Sequence, residues 1–537
     1  MASDLVATPD PLARLTSAQR DAVTSPDPRL AVFAGAGAGK TRVLTLRVAR
    51  MVDEGVDPSH ILVVTFSRKA AQELRSRLWR LDIEGVRAGT FHRTALELLE
   101  VYRAEQGLGP PTIVADRRRM IERVMARSPS SQLTSQGAAV ETEISWAKAR
   151  GLTPSTYESA ASQERRRPQP SALVVAEQWA AYEEAKRRQG VLDFDDLIAD
   201  AVAALGDTRF ATAMHWRTRH LFVDEFQDVN PMQFMLIERL MTPSTTLFGV
   251  GDPNQSIYGF NGADPTLLRR LDQRIEGTRT ILLDANHRST PEIVASASAV
   301  LPARDQRPIT ATQAPGEIPE IAGFDDDAAE AAFVANRARS IHGPHSKWRS
   351  FAVLARTNAQ LSAITEAFAA QGIPVAPLAP DLRPASDLMA PLPQQRRAPN
   401  TAPTSDAVAL GTFHRAKGLE FPHVFVIGVS DGLVPHGAAT SDAALDEERR
   451  LLYVALTRAE QTLHVTWSAH RGNDQAGRTR RRSPFLDPFE RVLDEMRAHR
   501  RPTPSATGAA RVAALKLQLE AQAAARQPSE GSEDHHG

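Results

Sequence analysis

Cysteine is absent from all 537 residues. That excludes disulfides, thiolate zinc sites and cysteine-held iron–sulfur clusters, and it fits a reducing cytoplasm. Net charge is absent too: 64 Lys and Arg balance 64 Asp and Glu, at a pI near 7.3. Any basic surface for a polyanion must then be local. No run of about 18 apolar residues occurs, so no membrane span and no membrane partner are expected. The opening residues MASDLVATPD lack a basic stretch ahead of an apolar one, so no signal peptide is expected. No internal repeat is found, and no nuclease-type cluster of carboxylates and lysine. What is left is 42% hydrophobic and 24% charged, a globular composition with length for about two to four domains.

The stretch that organises the rest is AVFAGAGAGKTR, residues 31–42. An apolar run over 30–33 predicts a buried strand. It breaks into Gly35, Gly37 and Gly39, then Lys40 and Thr41, then a helical pattern over 43–51. Strand, glycine loop, Lys-Thr and helix make a phosphate-binding loop. Glycines let backbone N–H groups turn inward around phosphate oxygens at the positive end of a helix. Lys40 supplies a point charge for the β- and γ-phosphates, and the Thr41 hydroxyl can ligate Mg²⁺. The strict pattern asks for glycine at 34, where this chain has Ala34. A second half of such a site follows in LFVDEFQD, 221–228. An apolar strand ends in Asp224, placed to hold Mg²⁺, and Glu225, placed to accept a proton from an attacking water.

Around these, the chain alternates strands and helices. A short helix over 15–23 carries Gln19, whose two-faced amide suits an adenine edge, although a solvated helix glutamine is the plainer reading. Strand 61–66 leads into a helix capped by Ser67 with Ala71, Leu74 and Leu78 on one face. Strand 86–91 ends in Gly89, Thr90, Phe91 and His92. Ligands bind at the carboxyl ends of such strands, where Phe66 and Phe91 suit stacked bases, or are simply core. Residues 93–214 read as a mostly helical insertion with basic clusters at 117–119 and 165–167, solvated or tracking phosphates. A strand over 245–251 leads into GDPNQSIYGFNGA. There Gln255 is placed for a γ-phosphate, and Tyr258 and Phe260 for bases. Strand 279–283 closes this unit. A second unit opens at 286–290, with strands 351–356, 407–411, 423–429 and 461–468, and helices at about 358–371 and 445–457. It has no glycine loop of its own. Residues 371–407 hold eight prolines in 37 residues and predict an extended, irregular connector. A helix at about 485–499 and another at 508–526 follow, with a disordered end.

Together these residues resemble a superfamily 1A DNA helicase of the UvrD/Rep/PcrA type, over roughly residues 12–490. The motifs stand in the family's order: 15–23, 34–41, TFSRKAA (65–71), GTFH (89–92), DEFQD (224–228), GDPNQSIYGF (251–260), NHRST (286–290), ARTNAQ (355–360), TFHRAKGLEFPHV (412–424) and EERRLLYVALTRA (447–459). A leading alanine at 34 is usual in that family. The resemblance implies an α/β fold of two RecA-like P-loop domains, parallel sheets with flanking helices, and an inserted helical subdomain. The expected division is 1–92 with 215–283 (domain 1A), 93–214 (helical insert 1B), 284–370 with 408–490 (domain 2A), 371–407 as connector, and a tail over 491–537.

The resemblance also implies roles. ATP and Mg²⁺ would be the cofactors. Ala36, Gly37, Ala38, Gly39, Lys40 and Thr41 would hold phosphates, with Thr41 and Asp224 on the metal. Arg288 and Arg458 would be arginine fingers, each typically worth about 10³–10⁵ in rate. Gln227 and Gln255 would sense the γ-phosphate, Glu420 the ribose, and Gln19, Arg42 and His287 the base. Plainer readings are a surface salt bridge from Arg458 to Glu460 or Glu447, and a solvated turn at Glu420. Phe66, Thr90, His92, Tyr258, Phe260, Thr412 and His414 would line a single-stranded DNA path. The 3′→5′ polarity is implied by the family alone. Two substitutions depart from the pattern: Asn261, where many relatives carry an arginine linking the two sites, and His287, where a tyrosine is common. The short connector replaces the large helical subdomain 2B, which puts duplex separation rather than ATP hydrolysis in question. Three functions stay open: a DNA helicase of repair or recombination working at single-strand/duplex junctions, a single-strand translocase needing a protein loading partner to open duplex, and an ATP-gated scaffold. RNA as track is not excluded.

Overall fold

The computed structural model describes residues 12–127, 136–378, 406–471, 479–500 and 516–518. The first sheet is built from β1 (Arg29–Ala34), β2 (Ile61–Thr65), β3 (Arg87–Thr90), β4 (His220–Val223), β5 (Thr246–Gly251) and β6 (Arg279–Leu283). All pair in parallel, in the order β3-β2-β4-β5-β1-β6. Parallel strands are covered on both faces, so they read as continuous apolar runs. In β2, Ile61 and Val63 join Val43, Leu44 and Val48 of the helix Lys40–Asp53 in one core. Leu62 and Val64 join Leu96, Leu99, Leu197 and Leu236 in a second core on the other face.

After a short pair, β7 (Ala285–Asn286) with β8 (Thr310–Ala311), the second sheet follows. It comprises β9 (Glu320–Asp326), β10 (Phe351–Ala355), β11 (Val375–Pro377), β12 (Val408–Thr412), β13 (Phe421–Ile427) and β14 (Ala459–His470). These are also all parallel, in the order β11-β12-β10-β13-β14-β9. The two sheets with flanking helices are the predicted α/β fold.

Several boundaries differ from the sequence reading. The third strand stops at Thr90, because the Thr90 hydroxyl accepts from Arg93 N–H and caps the helix Phe91–Glu105. Phe91 and His92 are therefore helical, and a domain border at 92/93 would cut this helix. Helices Phe91–Glu105, Asp196–Ala204 and Thr208–Arg217 pack into the first sheet's core. Among the described residues the insertion's own core lies between Met120 and Tyr182, around Trp146, Tyr157 and Trp179. The basic clusters are largely used internally. Arg117 reaches Asp195 at 2.5 Å, and Arg166 reaches Glu143 at 2.6 Å with its guanidinium 4.3 Å from the Trp146 ring centre.

The connector does not start as irregular chain. Val375–Pro377 form the edge strand of the second sheet, where proline is tolerated because an edge leaves N–H groups unpaired. Residues 379–405 of the connector lie outside the described residues. A border at 490/491 would cut the helix Leu486–Arg500, whose Leu486, Phe489 and Leu493 are buried in the second sheet's core. Of the helix expected over 508–526, only 516–518 fall within the described residues and are helical.

Candidate nucleotide and nucleic-acid site

The glycine loop follows β1. Gly37 (φ +71°) and Gly39 (φ +79°) are left-handed, and Gly39 caps the helix that begins at Lys40. A side chain at 37 would collide with Arg288 Cβ at 2.7 Å, so glycine there permits close approach of the second unit. The loop is pinned from across: the Asn286 amide donates to the Ala36 carbonyl (2.8 Å), and His287 N–H donates to the Gly37 carbonyl (3.0 Å). Gln19 is buried, not solvated. Its oxygen accepts Thr16 N–H as a capping box, and its Nε2 donates to the Ala38 carbonyl (3.0 Å) and lies 3.1 Å from His287 Nε2. Lys40 Nζ rests on the Ala34 carbonyl at 3.3 Å, and Arg42 is exposed beside the loop.

At the end of β4, buried Asp224 and half-buried Glu225 share one electrostatic neighbourhood with Lys40. Burial, then the Glu225 charge, push the Asp224 carboxyl up to about 7. Burial also works to raise Glu225, but Lys40, Lys417, the Gln227 hydrogen bond and Arg458 outweigh it, so Glu225 moves down and stays ionised. Glu225 itself is left-handed (φ +51°), a strained setting for a non-glycine residue. Gln227 is fully buried, donates to Glu225 and accepts Asp252 N–H (2.8 Å). Gln255 donates to Asp252 at 2.8 Å.

The second unit brings its own charges. Arg458 is 1% exposed and makes neither surface bridge. It donates to the carbonyls of Val454 (2.8 Å) and Leu419 (3.0 Å). Burial, then Arg288, lower its guanidinium to about 9, and Glu225 acts against them. Arg288 is paired with Glu420 (2.5 Å), so these two expected site residues are bonded to each other here.

Four of the expected nucleic-acid residues form one aromatic ladder. Phe66 stacks on Tyr258 (5.0 Å, 17°), Tyr258 meets Phe260 edge-on (6.1 Å), and Phe260 meets His414 edge-on (5.9 Å). The ladder thus runs from the first unit to the second, and Phe66 and Phe260 are exposed. The other three are not on it. Thr90 is spent as a helix cap, Thr412 ends β12, and His92 stacks on Phe194 at 3.8 Å. Burial lowers both His92 and His414 to about 4.

Sequence reasoning missed the residues that tie ladder to loop. Lys417 Nζ donates to Asp228 (2.5 Å) and to the Gln255 carbonyl (2.7 Å), and lies 4.8 Å from the Tyr258 ring centre. The helix Asp442–Leu456 runs between the units. Its Glu447 accepts Gly259 N–H (2.9 Å), its Arg450 donates to the Ser256 carbonyl (2.8 Å), and its Tyr453 hydroxyl faces the Ala36 N–H. Lys417, Glu447, Arg450 and Tyr453 all fall inside the motifs TFHRAKGLEFPHV and EERRLLYVALTRA. Their charge and aromaticity were visible, but not which side of the cleft they faced.

Comparison with known proteins decides the family. Residues 15–276 match the UvrD/REP helicase N-terminal domain, and 281–378 with 393–470 match the UvrD-like helicase C-terminal domain. The chain belongs to the UvrD/Rep helicase family. It is thereby an enzyme of the ATP-hydrolysing helicase class. Among UvrD/Rep relatives, it is 32% identical over 575 residues to the ATP-dependent DNA helicase UvrD2 of Mycobacterium tuberculosis, covering 89% of this chain and 82% of that protein. It is 32% identical over 372 residues to DNA helicase II of Escherichia coli, covering 67% and 51%. Against the ATP-dependent DNA helicase PcrA of Leuconostoc citreum the figures are 32% over 373 residues, 67% and 49%. Among the described residues no helix is long and apolar enough to cross a membrane.

Proposed function

We propose that this chain is an ATP-driven motor that moves 3′→5′ along single-stranded DNA and separates strands during repair or recombination. The observation that carries the reading is Glu225: a half-buried carboxylate in the joint field of Lys40 from the glycine loop and of Lys417 and Arg458 from the second unit. A base held between two units answers to the distance between them.

The residues present fit ATP and Mg²⁺. Left-handed glycines 37 and 39 open a cradle of backbone N–H groups. Asp224, pushed up by burial beside a second carboxylate, is an oxygen ligand short of positive charge. Thr41 and Asp224 would hold Mg²⁺, which would supply positive charge against the charge that develops on the phosphates. Lys40 holds the β- and γ-phosphates. Glu225 takes a proton from the attacking water, while Gln227 and Gln255 report the γ-phosphate. Arg288 leaves Glu420 for the γ-phosphate, which frees Glu420 for the ribose; Arg458 joins from its buried seat. Gln19, Arg42 and His287 lie at the base side. Closure of the cleft then shifts His414 against Phe260, Tyr258 and Phe66, so that bases are gripped and released in turn.

A second reading is a translocase that needs a protein loading partner to open duplex. It is favoured by β11 and β12 lying side by side: the chain leaves and re-enters one sheet edge within residues 378–407, and the C-terminal family match breaks there. The test is unwinding of a 3′-tailed duplex measured beside ATPase on single-stranded DNA. ATPase with strand separation supports the helicase, and ATPase without separation supports the translocase. No DNA-stimulated hydrolysis would sink both.

A further inference from the structure

The edge strand of the first sheet lies in a groove of about 700 Å³. Its lining includes Arg75 and Trp79 from the helix Arg68–Trp79, Arg87 and Gly89 from β3, Thr94 from the helix Phe91–Glu105, and Arg217. The two helices sit on opposite faces of the sheet, because Leu78 packs in one core and Leu96 in the other. The groove therefore wraps the open edge of β3, which pairs with β2 alone.

Three observations say what fits it. The lining offers three guanidiniums against the carboxylates of Glu84 and Glu97, and Glu97 is already bonded to Arg93 at 2.8 Å. The surplus is positive in a chain with no net charge. An exposed indole lies among these cations: Trp79 is 36% exposed, and Trp216, next to Arg217, is 62% exposed. Cations beside exposed aromatics make a stacking platform for a single strand. Arg87 adds a buried Nε with no hydrogen-bond partner in the described structure. The Gly89 end of the groove lies one residue along β3 from the strand pair that leads to the aromatic ladder. Thr65, which precedes Phe66, pairs with Thr90 at the carboxyl end of β3, between Gly89 and Thr94.

We infer that single-stranded DNA leaving the ladder at Phe66 continues down this edge, held by Arg75 and Arg217 on its phosphates and by Trp79 on a base. The inference rests on the motor reading above. It makes the bound length longer than the ladder alone would give.

The probes are oligodeoxythymidylates of about 8 and about 20 nucleotides. Arg75, Trp79 and Arg217 are surface side chains outside the ATP site, so Arg75→Glu, Trp79→Ala and Arg217→Glu are combined in one variant. That variant should bind the longer oligomer about tenfold more weakly. Its salt dependence should flatten by about 0.7 for each phosphate no longer neutralised. Binding of the shorter oligomer and its stimulation of ATPase should not change. A companion variant, Arg75→Lys with Arg217→Lys, should keep the wild-type salt slope, which separates charge from folding. If the variant matches wild type on the longer oligomer in affinity and slope, the groove is no DNA track and fits a protein instead. If wild type binds neither oligomer, the motor reading itself has failed.

Discussion

The two sheets have the same strand number, the same parallel pairing and helices on both faces, yet they divide the chemistry. The first ends its strands in a glycine loop, a carboxylate pair and two glutamines. The second has no such loop, and what it sends across the cleft is Arg288, Lys417, Tyr453 and Arg458. One sheet holds acid and phosphate cradle, and the other supplies cations. The difference lies wholly in loops and strand ends, which is where a shared architecture leaves room for separate functions.

The sharpest test of this division is to remove one cation from each side. Lys40→Ala and Arg458→Ala should each lower ATP turnover by about 10³–10⁵. Only Lys40→Ala should also weaken nucleotide binding, read by titrating a fluorescent ATP analogue. Turnover surviving in Arg458→Ala would reduce the second sheet to a scaffold.

Next in size is the strut between the sheets. Lys417→Met leaves Asp228 buried and unpaired, and should cost about 3–5 kcal/mol in chemical denaturation. Adding Asp228→Asn should recover most of that loss. Equal stability of wild type and the single variant would show that the strut is idle.

The ladder draws Phe66, Tyr258 and Phe260 from the first unit and His414 from the second, so Phe66→Ala and His414→Ala should weaken single-strand binding by similar amounts, about 1–3 kcal/mol each. A loss confined to Phe66→Ala would place the track on the first sheet alone.

The smallest effect concerns the histidine each side contributes. Burial holds His92 and His414 near 4, below the value of about 6.5 in an unfolded chain. Both are neutral at pH 7, and stability they contribute is complete above about pH 6.5 and lost as the pH falls toward 4. The salt dependence of DNA binding should stay constant between about pH 8 and about pH 6. A steeper slope at the lower pH would mean that one of them is protonated against phosphate.

Much of the fold was legible because parallel strands advertise themselves. Runs such as ILVVT and FAVLA have no polar face and end at family motifs. β9 and the helix Asp327–Ile341 were missed for the opposite reason. The strand EIAGFDD is half-exposed and ends in acids, and the helix buries mostly alanines, so neither shows a strong periodicity. Within the site, the residue types were readable but their partners were not. Gln19 looked solvated because nothing in a short helix says that Ala38 and His287 lie across from it. Arg117 and Arg166 looked like surface charge because their carboxylates come from other helices. Arg288 and Glu420 carry separate roles in the sequence, although 132 positions apart they meet.

The helix Asp442–Leu456 adds a constraint of timing. Glu447 touches the backbone between two ladder aromatics, Tyr453 faces the glycine loop, and Arg458 follows its end. From 447 to 456 such a rod measures about 14 Å, and helical hydrogen bonds make that length nearly fixed. Two events tied to the ends of one rigid bar cannot drift out of step. A base that fails to advance would hold back the arginine, and fuel would go unburnt while the track is blocked.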